Sequence, residues 1–253
     1  MCELFGLTSA EVIDIREYLK NFYHHSIHHP HGWGLFRETD GNFEIIKEPV
    51  RAVGSRILHD VIQQTQPQKY ALAHIRLATV GSVRKENCHP YAGTDLTGRN
   101  WTMIHNGTIY SSRNLYQYLK MQKGDTDSER AFLYLLDQIN QAQGSHPLSP
   151  EERFEIVQNT VMYLSPRNKL NLMIFDGELL YIHKNMKDTL KYKKLENGFL
   201  FATTPLDQDT WEEFPLAQLH AFRNGALFRK GQRHDGVFIP TLEYISAMDA
   251  MYI

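Results

Sequence analysis

Met1-Cys2-Glu3-Leu4-Phe5-Gly6-Leu7-Thr8 opens the chain. Cys2 to Thr8 reads as a short strand, and a cysteine stands at its head. Removal of Met1 would place the Cys2 thiol and its own α-amine on one residue. A free α-amine has a pKa of about 7.7–8.0, so near neutrality much of it can accept a proton. A thiol nucleophile needs such a base, and here no histidine partner would be required. Position alone also allows an ordinary buried cysteine on a first strand.

Outward from this segment, the hydrophobic spacing sets the organisation. Thr8 and Glu11 have capping-box spacing, and Val12, Ile15, Leu19 and Phe22 follow at helical intervals, which predicts a helix of about four turns. Trp33 to Arg37 and Phe43 to Lys47 read as strands about a turn at Thr39-Asp40-Gly41-Asn42. Ser55 to Gln64 reads as a helix, Tyr70 to Arg76 as an apolar strand, Gly81 to Gly98 mostly as loop, and Trp101 to His105 as a strand. Ser112 to Lys120, Asp127 to Gln141 and Glu151 to Leu164 carry helical spacing. Gln141 to Pro150 is the most linker-like stretch. Strands resume at Leu170 to Phe175 and Glu178 to His183, so it is read as a helix connection within one domain spanning residues 1–253. Further strands are expected at Phe199 to Thr203, Ala226 to Arg229 and Gly236 to Ile239. Strands, then helices, then strands again suggest two sheets with helices packed outside them.

Composition narrows the function. The 253 residues are 42% hydrophobic and 22% charged, as in a folded chain with its own core. Lys and Arg number 27 against 29 Asp and Glu, for a net charge of −2. This offers no electrostatic footprint for nucleic acid or an anionic membrane. Two cysteines make no disulfide framework and fit a reducing compartment. No signal-peptide pattern, membrane-length apolar run or prenylation cysteine is visible, so a cytoplasmic location is expected.

Four further stretches can carry chemistry. Ala73-His74-Ile75-Arg76-Leu77-Ala78-Thr79-Val80-Gly81 ends a strand on an arginine, a natural fork for a carboxylate, or for a surface ion pair. In His105-Asn106-Gly107, the Asn106 amide and the Gly107 N–H can form a two-donor oxyanion hole, although Asn-Gly is also a strong turn dipeptide. Asp125-Thr126-Asp127-Ser128-Glu129 heads a helix, where acids and caps are at home, and can also receive a substrate ammonium. His24, His25, His28, His29 and His31 crowd the end of the first helix. Their i, i+4 pairs could hold a metal, but Pro30 interrupts and no acid or cysteine completes a set, so no metal is expected. Cys88, in Asn87-Cys88-His89-Pro90, is read as a structural cysteine lining the site.

Taken together and in order, these motifs resemble one family, the class II or N-terminal-nucleophile glutamine amidotransferases, and within it the small stand-alone members. The matching stretches are Cys2-Glu3-Leu4-Phe5-Gly6, His31-Gly32-Trp33-Gly34, Ala73 to Gly81, Glu86-Asn87-Cys88-His89-Pro90-Tyr91, His105-Asn106-Gly107, Thr126-Asp127-Ser128-Glu129 and Phe201-Ala202-Thr203-Thr204-Pro205-Leu206. Leu77 and Val80 depart from the Trp and His usual in the larger synthases. The resemblance implies an α+β fold, the four-layer αββα sandwich of N-terminal-nucleophile hydrolases. It implies Cys2 as nucleophile with its α-amine as base, and Asn106 and Gly107 as oxyanion hole. It further implies Arg76 with Thr79 on the substrate α-carboxylate, Asp127 on the α-ammonium, and no cofactor.

The expected reaction is hydrolysis of the glutamine γ-amide to glutamate and ammonia, with the ammonia passed to a synthase partner. Hydrolysis of a γ-glutamyl peptide or metabolite would use the same glutamyl contacts. A non-catalytic glutamine-binding protein is the reading from another class.

Overall fold

The computed structural model describes residues 1–39, 42–144, 146–242, 244 and 246. Its first strand, β1 (Glu3–Ile13), runs past the expected helix start. Thr8 pairs with Phe199 and Tyr70 on neighbouring strands, and its Oγ1 accepts a hydrogen bond from the Gly225 N–H. The Thr8/Glu11 capping box therefore does not form. The helix, α1 (Arg16–His24), is nine residues long, short of four turns, and Asp14 Oδ1 accepts from its first N–H. The helical spacing holds from Ile15 through Leu19 to Phe22, all buried, whereas Val12 lies on β1 and is exposed.

β1 lies at the heart of a seven-stranded sheet with β2 (Trp33–Thr39), β3 (Asn42–Glu48), β4 (Gln68–Ile75), β9 (Lys191–Lys194), β10 (Gly198–Ala202) and β11 (Glu212–Glu213), in the order β11-β9-β10-β1-β4-β2-β3. Asp40 and Gly41 of the expected β2–β3 turn lie outside the described residues. A six-stranded sheet holds β5 (Tyr91–Thr94), β6 (Asn100–Thr108), β7 (Lys169–Phe175), β8 (Leu180–His183), β12 (Gln218–Arg223) and β13 (Ala226–Arg233), in the order β13-β12-β8-β7-β6-β5. Every pairing in both sheets is antiparallel.

Three buried clusters show the layering. Phe5, Leu7, Ala73 and Ile75 pack under α1 and α2 (Arg56–Gln64). Leu4, Leu72, Ile104, Met173 and Phe201 meet between the sheets. Met103, Leu172 and Ile174 pack under α3 (Asp127–Gln143) and α4 (Pro150–Leu164). The result is the expected αββα sandwich. Each strand sends alternate side chains to the two layers it touches.

The outer helices start on side-chain caps. Ser55 Oγ accepts from Leu58 N, Thr126 Oγ1 from Glu129 N, and Ser149 with Glu152 makes a capping box ahead of α4. Two expectations are corrected. Residues Arg113–Lys120 form a 3-10 helix, whose buried Leu115 and Tyr118 have the i, i+3 spacing of that helix. Gly81 to Gly98 is mostly loop, as expected, interrupted by a 3-10 turn at Lys85–Asn87 and by β5. Gly236 to Ile239 joins no sheet, because the Phe238 N–H goes to the Asn185 carbonyl and Asn185 Nδ2 to that of Gly236. The strands β9, β11 and β12 were not read from the sequence. β9 and β11 are short, Lys191–Lys194 carries charge on both faces, and β12 begins and ends on polar residues.

Candidate active site

The layer between the sheets is apolar through its middle and polar at one end. On β4, Leu72 is followed on the same face by His74 and then Arg76. On β6, Ile104 is followed by Asn106 and Thr108. On β7, Phe175 and Met173 lead to Asn171 and Lys169. On β1, Leu4 leads to Cys2. Period-two alternation therefore brings Cys2, Arg76, Asn106 and Lys169 to one end of the inter-sheet layer from strands of both sheets.

Cys2 is partly exposed, and its Sγ–H points to the Leu77 carbonyl at 3.4 Å. Asn106 lies within β6, opposite Asn171 on β7, so His105-Asn106-Gly107 is strand rather than the turn that follows one. Gly107 is required there: a Cβ would stand 1.9 Å from the Lys169 carbonyl oxygen. The Asn106 amide is oriented by Lys169, whose Nζ donates to Oδ1 at 2.9 Å. Asn106 Nδ2 is buried with no hydrogen-bond partner among the described residues. Lys169 is itself fully buried, which pushes its pKa down to about 8. Sequence reasoning missed Lys169. Its place on the same strand face as Asn171, at the head of a run that is otherwise apolar, was the available signal.

Arg76 is buried and shapes the loop that follows it. Nη1 donates to the Ser82 carbonyl, and Nη2 to those of Val80 and Gly81, at 2.9–3.2 Å. The fork expected to face a carboxylate is thus engaged with the loop, leaving the Nε hydrogen and one on Nη1. Gly81 has φ +81°, and a Cβ there would meet Asp125 Oδ1 at 2.6 Å. Asp125 holds the same loop through the Ser82 N–H and hydroxyl and the Asn87 amide. Thr79 Oγ1 lies 3.4 Å from Thr108 Oγ1. Asp127, buried at the head of α3, accepts from the Ile109 N–H at 2.6 Å through Oδ2. The six residues singled out in the sequence are thereby linked into one region: Cys2 to Leu77, Thr79 to the strand bearing Asn106 and Gly107, and Asp127 to the residue that follows it.

Cys88 is buried with Sγ near the Glu48 carbonyl, and burial pushes its thiol up to about 11. A thiol held neutral is inert as a nucleophile. Among the described residues, no group of three or more His, Cys, Asp or Glu is arranged to hold a metal. No helix among them is long and apolar enough to cross a membrane.

The family model for class II glutamine amidotransferases matches residues 1–196. The chain belongs to the class II glutamine amidotransferases. This amidotransferase is 28% identical to the protein MJ1515 of Methanocaldococcus jannaschii over 92% of its own length and 72% of that protein's. It is 29% identical to YafJ of Escherichia coli over 85% of its length and 84% of that protein's. Among solved structures, it resembles the glutamine phosphoribosylpyrophosphate amidotransferase of B. subtilis with a TM-score of 0.68 at 15% identity, covering 93% of this chain and 50% of that one. A glutamine amidotransferase structure from Pseudomonas aeruginosa matches with a TM-score of 0.63 at 20% identity, covering 90% of this chain and all of that one. At such identities the structural likeness speaks for the fold.

Proposed function

We propose that this amidotransferase hydrolyses the γ-amide of glutamine to glutamate and ammonia through a γ-glutamyl thioester on Cys2. The observation that carries this reading is the Asn106 amide: Lys169 fixes its oxygen, and its buried NH2, without a partner among the described residues, is left at the end of the layer that Cys2 occupies. An unsatisfied buried donor is costly, and an oxyanion forming beside it would satisfy it.

In the proposed sequence Met1 is removed first. The freed Cys2 amine takes the thiol proton as Sγ attacks the γ-carbonyl carbon. The oxyanion is held by Asn106 Nδ2 and the Gly107 N–H. Collapse breaks the C–N bond, the amine returns the proton to the leaving nitrogen, and ammonia departs. Water, deprotonated by the same amine, then attacks the thioester, and glutamate leaves with the thiol restored. The substrate α-carboxylate is assigned to the remaining Arg76 hydrogens and Thr79, and its α-ammonium to Asp127. Residues 1–253 would act as one domain in a reducing, cytoplasmic setting, with the ammonia received by a synthase partner.

A second reading has its own observation. The Met1 side chain sits just beyond the Cys2 nitrogen, with its sulfur 2.9 Å from Lys169 Nζ and 3.0 Å from the Tyr244 hydroxyl. Space that takes a methionine side chain beside the proton-donating amine suits a leaving group larger than ammonia, as in a γ-glutamyl peptide.

The test is turnover of glutamine and of γ-glutamyl dipeptides by enzyme shown by intact mass to start at Cys2. Cys2→Ala should keep the native circular dichroism and lose activity on either substrate by about 10³-fold or more. Near-wild-type turnover by Cys2→Ala, or full activity in a population retaining Met1, would overturn the mechanism. Glutamine binding without turnover by the processed wild type would favour a binding protein.

A further inference from the structure

The histidine-rich segment after α1 wraps the start of the chain. After α1, residues His25–His28 make one 3-10 turn. His25 Nδ1 donates to Glu3 Oε2 at 2.9 Å. His31 Nδ1 accepts from the Ala78 N–H, next to the carbonyl that receives the Cys2 thiol. Between them, buried His29 has its Nδ1 2.8 Å from the His25 carbonyl oxygen and its Nε2 2.5 Å from the Met1 carbonyl oxygen.

Those two contacts conflict. Both partners are carbonyl oxygens, which only accept, whereas a neutral imidazole carries a single N–H. Satisfying both requires an imidazolium, and burial works against that charge, lowering the His29 pKa. Removal of Met1 resolves the conflict. The Met1 carbonyl leaves with its residue, and the Cys2 nitrogen becomes an amine with hydrogens to donate. That nitrogen is bonded to the same carbon as the Met1 oxygen and so lies about 2.3 Å from it. A ring nitrogen in contact with the oxygen is within a small adjustment of the amine.

We propose that His29 is the positioning residue for the α-amine of Cys2. With Nδ1–H given to the His25 carbonyl, its Nε2 accepts a hydrogen bond from that amine in the processed chain and aims the amine's lone pair at the thiol. A neutral ring then satisfies both contacts, so the histidine fits the processed chain better than the chain that carries Met1. The inference rests on the reading of the Cys2 amine as base.

The titratable and charged neighbours of this site are Glu3 at the start of β1, His25 on the same turn, His74 on β4 and Lys169 on β7. All of them stay in place in the variants that test the proposal. His29→Asn keeps a donor for the His25 carbonyl but falls short of the amine. His29→Gln can bring a carbonyl oxygen to it. Each variant, confirmed by intact mass to begin at Cys2, would be measured for glutamine and γ-glutamyl dipeptide kinetics across pH. The pH dependence of Cys2 alkylation by iodoacetamide would be measured alongside.

The Asn variant should lose about 10- to 100-fold in kcat with little change in KM. The acid limb of both profiles should move to lower pH, because an acceptor favours the ammonium form. The Gln variant should recover much of the rate. Wild-type kcat and profiles in processed His29→Asn would overturn the proposal, as would equal losses in the Asn and Gln variants. If wild-type enzyme turns over neither substrate, the parent reading fails. The alkylation profile still decides His29 by itself, with an unshifted limb in the Asn variant counting against it.

Discussion

A buried lysine beside an asparagine amide settles a question that the Asn106 side chain cannot settle alone. An amide can present either its oxygen or its NH2 to a site, and only the NH2 face stabilises an oxyanion. The Lys169 ammonium has only hydrogens to give, so it claims Oδ1 and turns Nδ2 inward. Lys169→Met keeps the bulk and removes the donor. We expect kcat for the γ-glutamyl substrate to fall by about 10²-fold, since loss of an oxyanion donor costs about 10²–10³, while KM barely changes. Steady-state kinetics on processed enzyme measures this, and an unchanged kcat would mean that Asn106 holds its orientation unaided. At this scale the sequence was informative about the groups to which the proposal assigns chemistry and silent about those it has aim them. Cys2, Asn106 and Asp127 belong to motifs with a chemical rationale. Lys169 and His29 are given meaning only by partners 63 and 28 residues away.

Among the elements, α4 is fastened to its sheet by a buried arginine. Arg153 is buried and donates from Nε to Asp176 Oδ2 at 2.7 Å, from Nη2 to Glu178 Oε2 at 2.6 Å and from Nη1 to the Leu148 carbonyl. Asp176, equally buried at the β7–β8 turn, also accepts from the Tyr181 hydroxyl. Removing one side of such a pair strands the other charge in a low-dielectric interior. Arg153→Leu should therefore cost about 3–5 kcal/mol, read as a lower urea midpoint, and a loss under about 1 kcal/mol would show that Asp176 escapes the penalty by protonation or hydration. The strands flanking that turn and the helix itself were legible from spacing. The start of α1 was not. Thr8 to Ile13 is held extended by β4 and β10, which lie about 60 and 190 residues further on, and a local cap signal loses to such pairing.

Across the whole molecule, buried histidines set the response to acid. His74, His89, His105 and His183 are fully buried, and burial lowers the pKa of each, that of His183 to about 3. A histidine free in the unfolded chain titrates near about 6.5, so below that pH the unfolded state binds more protons than the native one. Stability is therefore complete above about pH 6.5 and falls as pH drops toward the folded values. Urea midpoints should decline steadily from pH 7 to pH 4, and His183→Gln should flatten part of that slope. A midpoint independent of pH over this range would show that these rings are protonated in the native state. The layered architecture was legible from the order of elements and the family motifs. The division of the site between two sheets was not, because sequence spacing does not say which strands share a ladder.

That division has a consequence for how such a protein can diverge. The proposed nucleophile, Cys2, rides on one sheet and the proposed oxyanion amide, Asn106, on the other, and the interlocked side chains of Leu4, Ile104, Met173 and Phe201 set the offset between them. A lineage can retailor the outward faces of its helices and leave the chemistry alone. A substitution that slides one sheet on the other changes the gap between thiol and amide even when it lies far from both and leaves the protein well folded. The interior is thus a ruler as well as a filler, and drift there registers as lost rate before lost stability.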